Sequence, residues 1–303
     1  IKHLSFIYIN MCGITALITS GRVSFEDVRN KMLNLSKRIR HRGPDWNGIY
    51  ISENVTICHE RLSIVGVEQG SQPINDDDSI ILSVNGEIYN YKDLYNCVLH
   101  GKYKPKTQSD CEIIIHLYRE FGEKCVKMLD GIFSFVLFDK KSNKIIVARD
   151  PIGVIPLYYG YTKNNDLMFS SEMKVLKDDC ATILTFKPGH LLNLDITKYQ
   201  HFCRTSATIP PIALTKYYNP KWDSEVFNDK IPEKILCKQI RDTLTNSVEK
   251  RLMAEVPWGV LLSGGLDSSL VASISNRLLK TTKTPWGNRL HTFSIGLTNA
   301  PDL

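Results

Sequence analysis

The sequence predicts an α/β protein with a long strand-rich region followed by a shorter second α/β region. Residues 13–195 hold many short apolar runs with strand-like alternation, interrupted by a few amphipathic helices, which indicates stacked sheets covered by helices. Proline-punctuated stretches without clear periodicity follow over 205–232 and are typical of a linker. The pattern after them is helix, strand, Gly-rich turn, helix and strand, which opens a parallel sheet.

Three helices are predicted in the first region, over 25–39, 92–99 and 110–121. In the first of them apolar residues recur three or four positions apart, and Ser24 is a suitable N-cap with Asp27 three residues later. Strands are predicted at 13–19, 48–52, 55–59, 80–84, 131–138, 144–148, 156–160, 167–170 and 189–194.

The second region begins with a helix predicted over 233–253, where apolar residues recur every four positions. A strand at 258–262, a helix at 268–279 and a strand at 290–296 follow. The stretch before Met11 is too short for a signal-peptide core and lacks a small-residue cleavage site. The predicted domains are an extension or artefactual leader at 1–11, a first domain at 12–204, a linker at 205–232 and the start of a second domain at 233–303.

Composition limits the compartment and the partners. The chain has 303 residues, 43% hydrophobic and 23% charged, and a net charge of +6. Its densest basic run, Lys37–Arg42, ends a helix without interleaved aromatics, and no run reaches the about 18 apolar residues of a membrane span. We therefore expect neither nucleic acid nor a membrane as partner. The eight cysteines show no C-x-x-C or zinc spacing, which favours free thiols in a cytoplasmic protein.

The segment Ser263–Ser269 lies between a strand and a helix and has the features of a phosphate-binding turn. Gly264 and Gly265 let the backbone approach an oxyanion, and the following helix directs its positive end at the same place. Asp267 would repel phosphate unless a cation bridges the two, which implies Mg²⁺. The Gly-Lys-Ser/Thr ending of a Walker A loop is missing, and a tight turn with an N-cap is the alternative.

Cys12 directly follows Met11 and would be the first residue if translation began there and the methionine were removed. A terminal cysteine carries its own base, because its α-amine titrates near about 7.7–8.0. Residues 1–11 stand in the way of that arrangement. The alternative is an ordinary buried thiol.

Arg61, the Asn85–Gly86 pair and Asp110 supply what a free amino acid substrate needs. A guanidinium can hold an α-carboxylate, a carboxylate can hold an ammonium, and amide donors can stabilise an oxyanion. Each residue also has an ordinary alternative: surface charge, hairpin turn and helix N-cap, respectively.

The resemblance to known families favours the catalytic alternatives. Segments of the first region resemble the glutaminase domain of class II glutamine amidotransferases, N-terminal-nucleophile hydrolases with an αββα sandwich: Cys12–Ile14, Arg40–Asp45, Arg61–Ile64, Asn85–Glu87 and Asp110. Ser263–Ser269 resembles the pyrophosphate loop of ATP pyrophosphatases, whose fold is a doubly wound parallel α/β sheet. From Met11 to Leu303 the chain resembles the glutamine-dependent asparagine synthetase family, with the second domain truncated.

The resemblance implies glutamine hydrolysis in the first domain. Cys12 attacks the glutamine side-chain amide with its α-amine as base, giving a γ-glutamyl thioester and ammonia. The other implied roles are the oxyanion hole for Asn85 and Gly86, carboxylate binding for Arg61, ammonium binding for Asp110 and Glu87, and the pocket wall for Leu62, Ile64 and Val65.

The resemblance also implies ATP and aspartate as substrates of the second domain. Ammonia passes through an internal tunnel and converts β-aspartyl-AMP to asparagine, although the chain ends before the later synthetase motifs and is not expected to complete this reaction alone. A homodimer is compatible with the sequence, which does not fix the oligomeric state. The implied ATP-binding residues are Leu262, Ser263, Gly264, Gly265, Leu266, Asp267, Ser268 and Ile295, with Mg²⁺ on Asp267.

Other functions fit the sequence less well. A β-lactam synthetase type of relative shares both domains but generally lacks the nucleophile, so Cys12 argues against it; glucosamine-phosphate and purine-pathway amidotransferases lack a segment like Ser263–Ser269. A non-catalytic chain blocked at its N-terminus is the third reading.

Gln108 and Gly66 depart from the family, which usually has a small residue and an acidic residue there, and we expect them to tune the glutamine pocket.

Overall fold

The computed structural model describes residues 11–21, 23–76, 79–206, 208, 212–220, 222, 231–282, 284 and 287–296. The chain forms two compact units, Asn10–Asp223 and a smaller one that includes Ser224–Leu303. Of the residues called a leader, 1–10 lie outside the described part, as do 207, 209–211, 221 and 223–230 of the segment called a linker. None of the described helices is both long and apolar enough to cross a bilayer.

Two six-stranded antiparallel sheets form the larger unit. The first sheet has the order β10-β8-β9-β1-β3-β2 and the second the order β12-β11-β7-β6-β5-β4. The strands are β1 (Gly13–Ile18), β2 (Trp46–Ile51), β3 (Val55–Arg61), β4 (Ile74–Asn75), β5 (Ile80–Ile88), β6 (Gly131–Asp139), β7 (Lys144–Arg149), β8 (Tyr158–Thr162), β9 (Leu167–Ser170), β10 (Cys180–Thr185), β11 (His190–Asp195) and β12 (Thr215–Lys216).

The helices of this unit cover the two sheets. The bounds are α1 (Phe25–Lys37), α2 (Tyr91–Asp93) continued by a π-helical turn (Leu94–Val98), a 3₁₀ turn (Asp110–Glu112) leading into α3 (Ile113–Phe121), a second 3₁₀ segment (Gly122–Met128), α4 (Met173–Leu176) and α5 (Ile196–Thr205). The Ser24 hydroxyl accepts a hydrogen bond from the Asp27 amide, which confirms Ser24 as the N-cap of α1.

Three apolar clusters show how the layers pack. One lies between the sheets and contains Ile14, Ile57 and Val136. A second joins the outer face of the first sheet to α1 through Leu17 and Met32, and a third packs α3 on the outer face of the second sheet. The order of layers is therefore helix, sheet, sheet, helix, which confirms the predicted αββα sandwich.

Part of the segment predicted as a linker packs on the larger unit. Strand β12 pairs with β11, and Tyr217 is buried with its hydroxyl donating to the Arg149 carbonyl oxygen at 2.8 Å. Short apolar stretches between prolines carry no periodicity, so the sequence gives no pattern from which β12 could be predicted.

The smaller unit contains the predicted β-α-β pattern. Its elements are α6 (Glu233–Lys250), β13 (Gly259–Leu261), α7 (Leu266–Thr281) and β14 (His291–Phe293). β13 and β14 pair in parallel, with Val260 opposite Thr292, as a crossover helix between them requires. α7 contacts both β13 and α6.

Candidate active site

Strand β1 begins directly after Cys12 and places its thiol against β3. The Leu62 amide donates to Sγ of Cys12 at 3.4 Å, and Sγ in turn lies 3.6 Å from the Leu62 carbonyl oxygen. Loss of water around the thiol raises its pKa from 9.0 to about 11, although the Leu62 amide and the Arg61 charge act in the opposite direction. The thiol is therefore protonated at neutral pH and needs a base to react.

A cleft opens in front of this thiol and gathers most of the predicted glutaminase residues. It contains about 420 Å³ of free space when the open solvent at its mouth is included. Its lining consists of Met11, Cys12, Arg61, Leu62, Ile64, Val65, Gly70, Gln72, Gly86, Glu87, Ser109, Asp110 and Cys111.

Arg61 ends β3 and is 6% exposed. Its guanidinium donates to the carbonyl oxygens of Gly66 at 2.6 Å, Val67 at 3.2 Å and Val65 at 3.3 Å. These hydrogen bonds fix both the Arg61 side chain and the loop 65–67, so the positive charge stays at the wall of the cleft.

Asp110 is a buried carboxylate on the same cleft, 3% exposed. Burial raises its pKa from 3.8 to about 6, even though the Ile88 amide donates to its Oδ2 at 2.7 Å. That bond ties the start of the α3 segment to the end of β5. A buried negative charge with a raised pKa is suited to receive a cation such as a substrate ammonium.

Asn85, Gly86 and Glu87 lie inside β5 rather than in a hairpin turn. Asn85 pairs with Ser134 of β6, and Gly86 pairs with Phe133. Gly86 has a φ of +138°, and a Cβ at this position would lie 2.0 Å from the Ile132 carbonyl oxygen, so only glycine fits. Gly86 and Glu87 line the cleft, whereas Asn85 is fully buried and is not part of its surface.

The segment Arg40–Asp45 contacts the Cys12 backbone and the loop after β3. Arg42 Nε donates to the Cys12 carbonyl oxygen at 3.1 Å, and Asp45 Oδ2 accepts from the Ser63 amide at 2.8 Å. Glu172, which no sequence pattern singled out, holds this segment by accepting from His41 Nε2 at 2.9 Å and Arg42 Nη1 at 3.2 Å.

The two departures from the family lie in contact with each other. Gly66 has a φ of +62°, and a Cβ there would lie 2.8 Å from the carbonyl carbon of Gln108 and 2.9 Å from the Ser109 amide nitrogen. A side chain at position 66 would therefore displace the backbone of 108–109, and Ser109 lines the cleft.

Comparisons with known proteins identify the family of the chain. The family profile of the glutamine amidotransferase domain matches residues 11–210, about two thirds of the chain. The chain belongs to the glutamine amidotransferase family. A second profile, that of asparagine synthase, matches residues 239–303.

Relatives of this amidotransferase chain are named as asparagine synthetases. It is 47% identical to a probable glutamine-hydrolysing asparagine synthetase of Dictyostelium discoideum, over 97% of this chain and 52% of that protein. It is 46% identical to the glutamine-hydrolysing asparagine synthetase of Zea mays, over 97% of this chain and 47% of that protein. The chain thus spans about half the length of the relatives it matches.

A solved structure shares the fold of the amidotransferase chain. Glutamine phosphoribosylpyrophosphate amidotransferase of B. subtilis, complexed with ADP and GMP, aligns with a TM-score of 0.54 at 16% identity. The alignment covers 88% of this chain and 64% of the other. At this identity the similarity supports the fold alone.

The Ser263–Ser269 turn lies in the smaller unit and is open to solvent. Gly265 is the N-cap of α7, so no side chain caps the first amides of that helix, and the Ser263 and Ser268 hydroxyl oxygens lie 3.1 Å apart in the same turn. This donor set fits an anionic phosphate. In the part of the chain that the structure describes, no three His, Cys, Asp or Glu side chains are grouped so that they could hold a metal ion. Asp267 is the acidic side chain of this turn.

Leu262 and Ile295 are brought to the same end of the small sheet. The Leu262 amide donates to the Phe293 carbonyl oxygen at 2.8 Å, and the Ser294 hydroxyl donates to the Leu262 carbonyl oxygen at 2.6 Å. Ile295 is 97% exposed, so it does not belong to the sheet core. Leu266 is also exposed, at 74%.

Proposed function

We propose that this chain is the glutaminase part, with the beginning of the synthetase part, of a glutamine-dependent asparagine synthetase. The observation that carries the proposal is the single cleft in which the Cys12 thiol faces Arg61, Gly86, Glu87 and Asp110. A nucleophile, a cation, two carboxylates and a glycine amide in one cleft are what hydrolysis of an amino acid side-chain amide requires. The names of the relatives support the choice of glutamine and asparagine.

Glutamine is held by its α-amino acid end. Arg61 binds the α-carboxylate, and Asp110 with Glu87 binds the ammonium. Leu62, Ile64 and Val65 contact the aliphatic part of the side chain, which places the amide carbonyl carbon at Cys12 Sγ.

The reaction then proceeds by nucleophilic attack. The free α-amine of Cys12 takes the thiol proton, and Sγ bonds to the amide carbon. The Gly86 amide at the cleft surface and Asn85 Nδ2, which is buried next to it in β5, stabilise the resulting oxyanion. The carbon–nitrogen bond breaks as the amine returns its proton to the leaving ammonia, and water hydrolyses the γ-glutamyl thioester to glutamate. Because the thiol pKa is about 11, this sequence depends on the amine being free.

The second activity uses the turn Ser263–Ser269. Ser263, Gly264, Gly265 and Ser268 supply donors for the ATP phosphates, and Asp267 would hold Mg²⁺. Leu262, Leu266 and Ile295 contact the nucleoside. Bound ATP supplies the activation of the aspartate side-chain carboxylate, which ammonia then converts to the amide of asparagine. The internal route of the ammonia stays a prediction from the resemblance.

The remaining assignments are proposals from the sequence. A cytoplasmic location is supported by the cysteines, none of which is in a disulfide. Homodimerisation, the absence of nucleic acid and membrane partners, and the domain boundaries at residues 12, 204 and 232 stay predictions.

The proposal is tested by the state of the N-terminus. Protein that begins at Cys12 is expected to release glutamate and ammonia from glutamine, whereas protein that retains residues 1–11 is expected to be inactive because the nitrogen of Cys12 is then a peptide amide. Coupled glutamate and ammonia assays measure both products. Equal activity of the two proteins would rule out the free amine as base.

A further inference from the structure

Ser171 follows β9 and is bound to the strand that carries the nucleophile. Its amide donates to the Ile14 carbonyl oxygen at 3.0 Å, and its hydroxyl oxygen accepts from the Ile14 amide at 2.9 Å. The side chain thus takes the place of a backbone acceptor and prolongs the β1–β9 pairing beyond Thr15 and Ser170. The prolonged pairing fixes the backbone next to Cys12.

The same hydroxyl oxygen reaches the other sheet. It lies 3.5 Å from Asn85 Nδ2, and both Ser171 and Asn85 are fully buried. Among the described residues, Ser171 is the partner found for Asn85 Nδ2, and no partner is found for Asn85 Oδ1. Ser134, directly opposite on β6, also has a buried hydroxyl without a partner and does not hold the amide.

An amide that stabilises an oxyanion must be aimed before the reaction begins. The terminal torsion of asparagine is broad, so its direction is set by hydrogen-bond partners. Nδ2 carries two protons, and the one directed at Ser171 leaves the other for the oxyanion. At 3.5 Å the contact is long for a hydrogen bond, and such contacts at catalytic groups often tighten when substrate is bound.

We propose that Ser171 is a positioning residue for glutamine hydrolysis. It holds the Cys12 strand with one pair of hydrogen bonds and aims the Asn85 amide with a third contact, so that nucleophile and oxyanion donor keep their relation across the two sheets. This inference rests on the proposed glutaminase function.

Ser171→Ala and Ser170→Ala form a matched pair, tested in protein that begins at Cys12. Both serines are fully buried neighbours, but the Ser170 hydroxyl oxygen accepts from the Glu172 amide at 3.3 Å. Ser171→Ala is expected to lower kcat about 10- to 100-fold, as for the loss of an oxyanion-hole contact, and to change KM about twofold at most, since Arg61 and Asp110 are untouched. Ser170→Ala is expected to stay close to wild type.

A double-mutant cycle with Asn85→Ala separates positioning from general damage to the fold. The part of the Ser171→Ala loss that acts through Asn85 is already absent in Asn85→Ala, so the combined loss of kcat is expected to be smaller than the product of the two single losses by at least about threefold, whereas independent effects would multiply. Should Ser171→Ala fail to fold in a thermal melt, Ser171→Cys keeps the volume with a weaker hydrogen-bonding group and is expected to show the same loss of kcat.

The outcomes distinguish this inference from the function it rests on. Wild-type kcat in folded Ser171→Ala, or multiplying effects in the cycle, would overturn the role of Ser171 and leave glutamine hydrolysis intact. No hydrolysis by the wild-type protein would overturn both.

Discussion

The charge of Asp110 sets the pH range in which glutamine can bind. Its pKa is raised to about 6 by burial, so in the empty site the carboxylate is ionised above this pH and neutral below it. A neutral acid does not attract the substrate ammonium. Arg61 keeps its charge over the whole range, and burial raises the pKa of the neighbouring Cys111 thiol well above 9.0, so neither titrates between pH 5 and 8.

Glutamine affinity is therefore expected to fall about tenfold per pH unit below pH 6 and to be flat above it. The measurement is calorimetric titration of Cys12→Ala protein with glutamine, because this variant binds without turnover. Adding Asp110→Asn is expected to give weak binding that no longer depends on pH. Adding Glu87→Gln instead of Asp110→Asn shows how much of the pH dependence of glutamine affinity comes from Glu87. A pH dependence that survives Asp110→Asn would show that another group controls binding.

At the scale of elements, the segment Arg40–Asp45 depends on close backbone contact with β3. A Cβ on Gly43 would lie 2.2 Å from the Glu60 carbonyl oxygen and 2.5 Å from the Arg61 amide nitrogen. These are backbone atoms of β3, which cannot move away as a flexible side chain can. Any side chain at position 43 would therefore displace the segment Arg40–Asp45 from β3. Arg42 would then lose its bond to the Cys12 carbonyl oxygen.

Gly43→Ala is expected to lower the kcat of glutamine hydrolysis by about 100-fold, since a displacement of about 1 Å at the nucleophile has effects of that order. Gly21→Ala is the matched control, because a Cβ there meets no atom within 4 Å. Initial rates at saturating glutamine give kcat, and circular dichroism shows whether each variant is folded. Full activity of Gly43→Ala would mean that the segment does not position Cys12.

The elements also show what the sequence could and could not predict. Strand β9 was predicted at its observed bounds, and α1 began at the predicted residue, because buried positions with a clear period specify an element. β5 was predicted to stop at Val84 but continues to Ile88. The reason is that Asn85 and Gly86 pair with residues of β6, and this pairing keeps them in the strand. β10 was not predicted, because its side chains are mostly exposed and carry little alternation.

For the candidate site, the sequence predicted the residues that resemble a family motif but not the residues that hold them in place. Cys12, Arg61, Gly86 and Asp110 share one cleft although they are far apart in the chain. Gln72 lines that cleft and exchanges two hydrogen bonds with the Val84 backbone, yet nothing in its neighbourhood distinguishes it. Such supports depend on tertiary contacts, which spacing along one chain does not encode.

At the scale of the whole molecule, the two regions differ in how completely they bury their apolar residues. The larger unit has apolar clusters on both faces of its sheets. In α6 the four-residue spacing predicted one buried face, but Ile240 is 67% exposed and Val248 is the buried residue of this helix. The described residues of the smaller unit offer α6 a two-stranded sheet and one long helix to pack against, which is too little surface to cover that face.

The separation of the two candidate sites predicts separable activities in the protein that carries the complete synthetase part. Cys12 belongs to the larger unit and Ser263–Ser269 to the smaller one. Cys12→Ala is therefore expected to abolish asparagine formation from glutamine and to leave formation from added ammonia within about twofold of wild type, since the second site needs only the ammonia. Cys97→Ala, the same substitution at an exposed thiol, is the control and is expected to keep both activities. Loss of the ammonia-dependent reaction in Cys12→Ala would contradict two separate sites, because a thiol that only releases ammonia from glutamine has no part in using it.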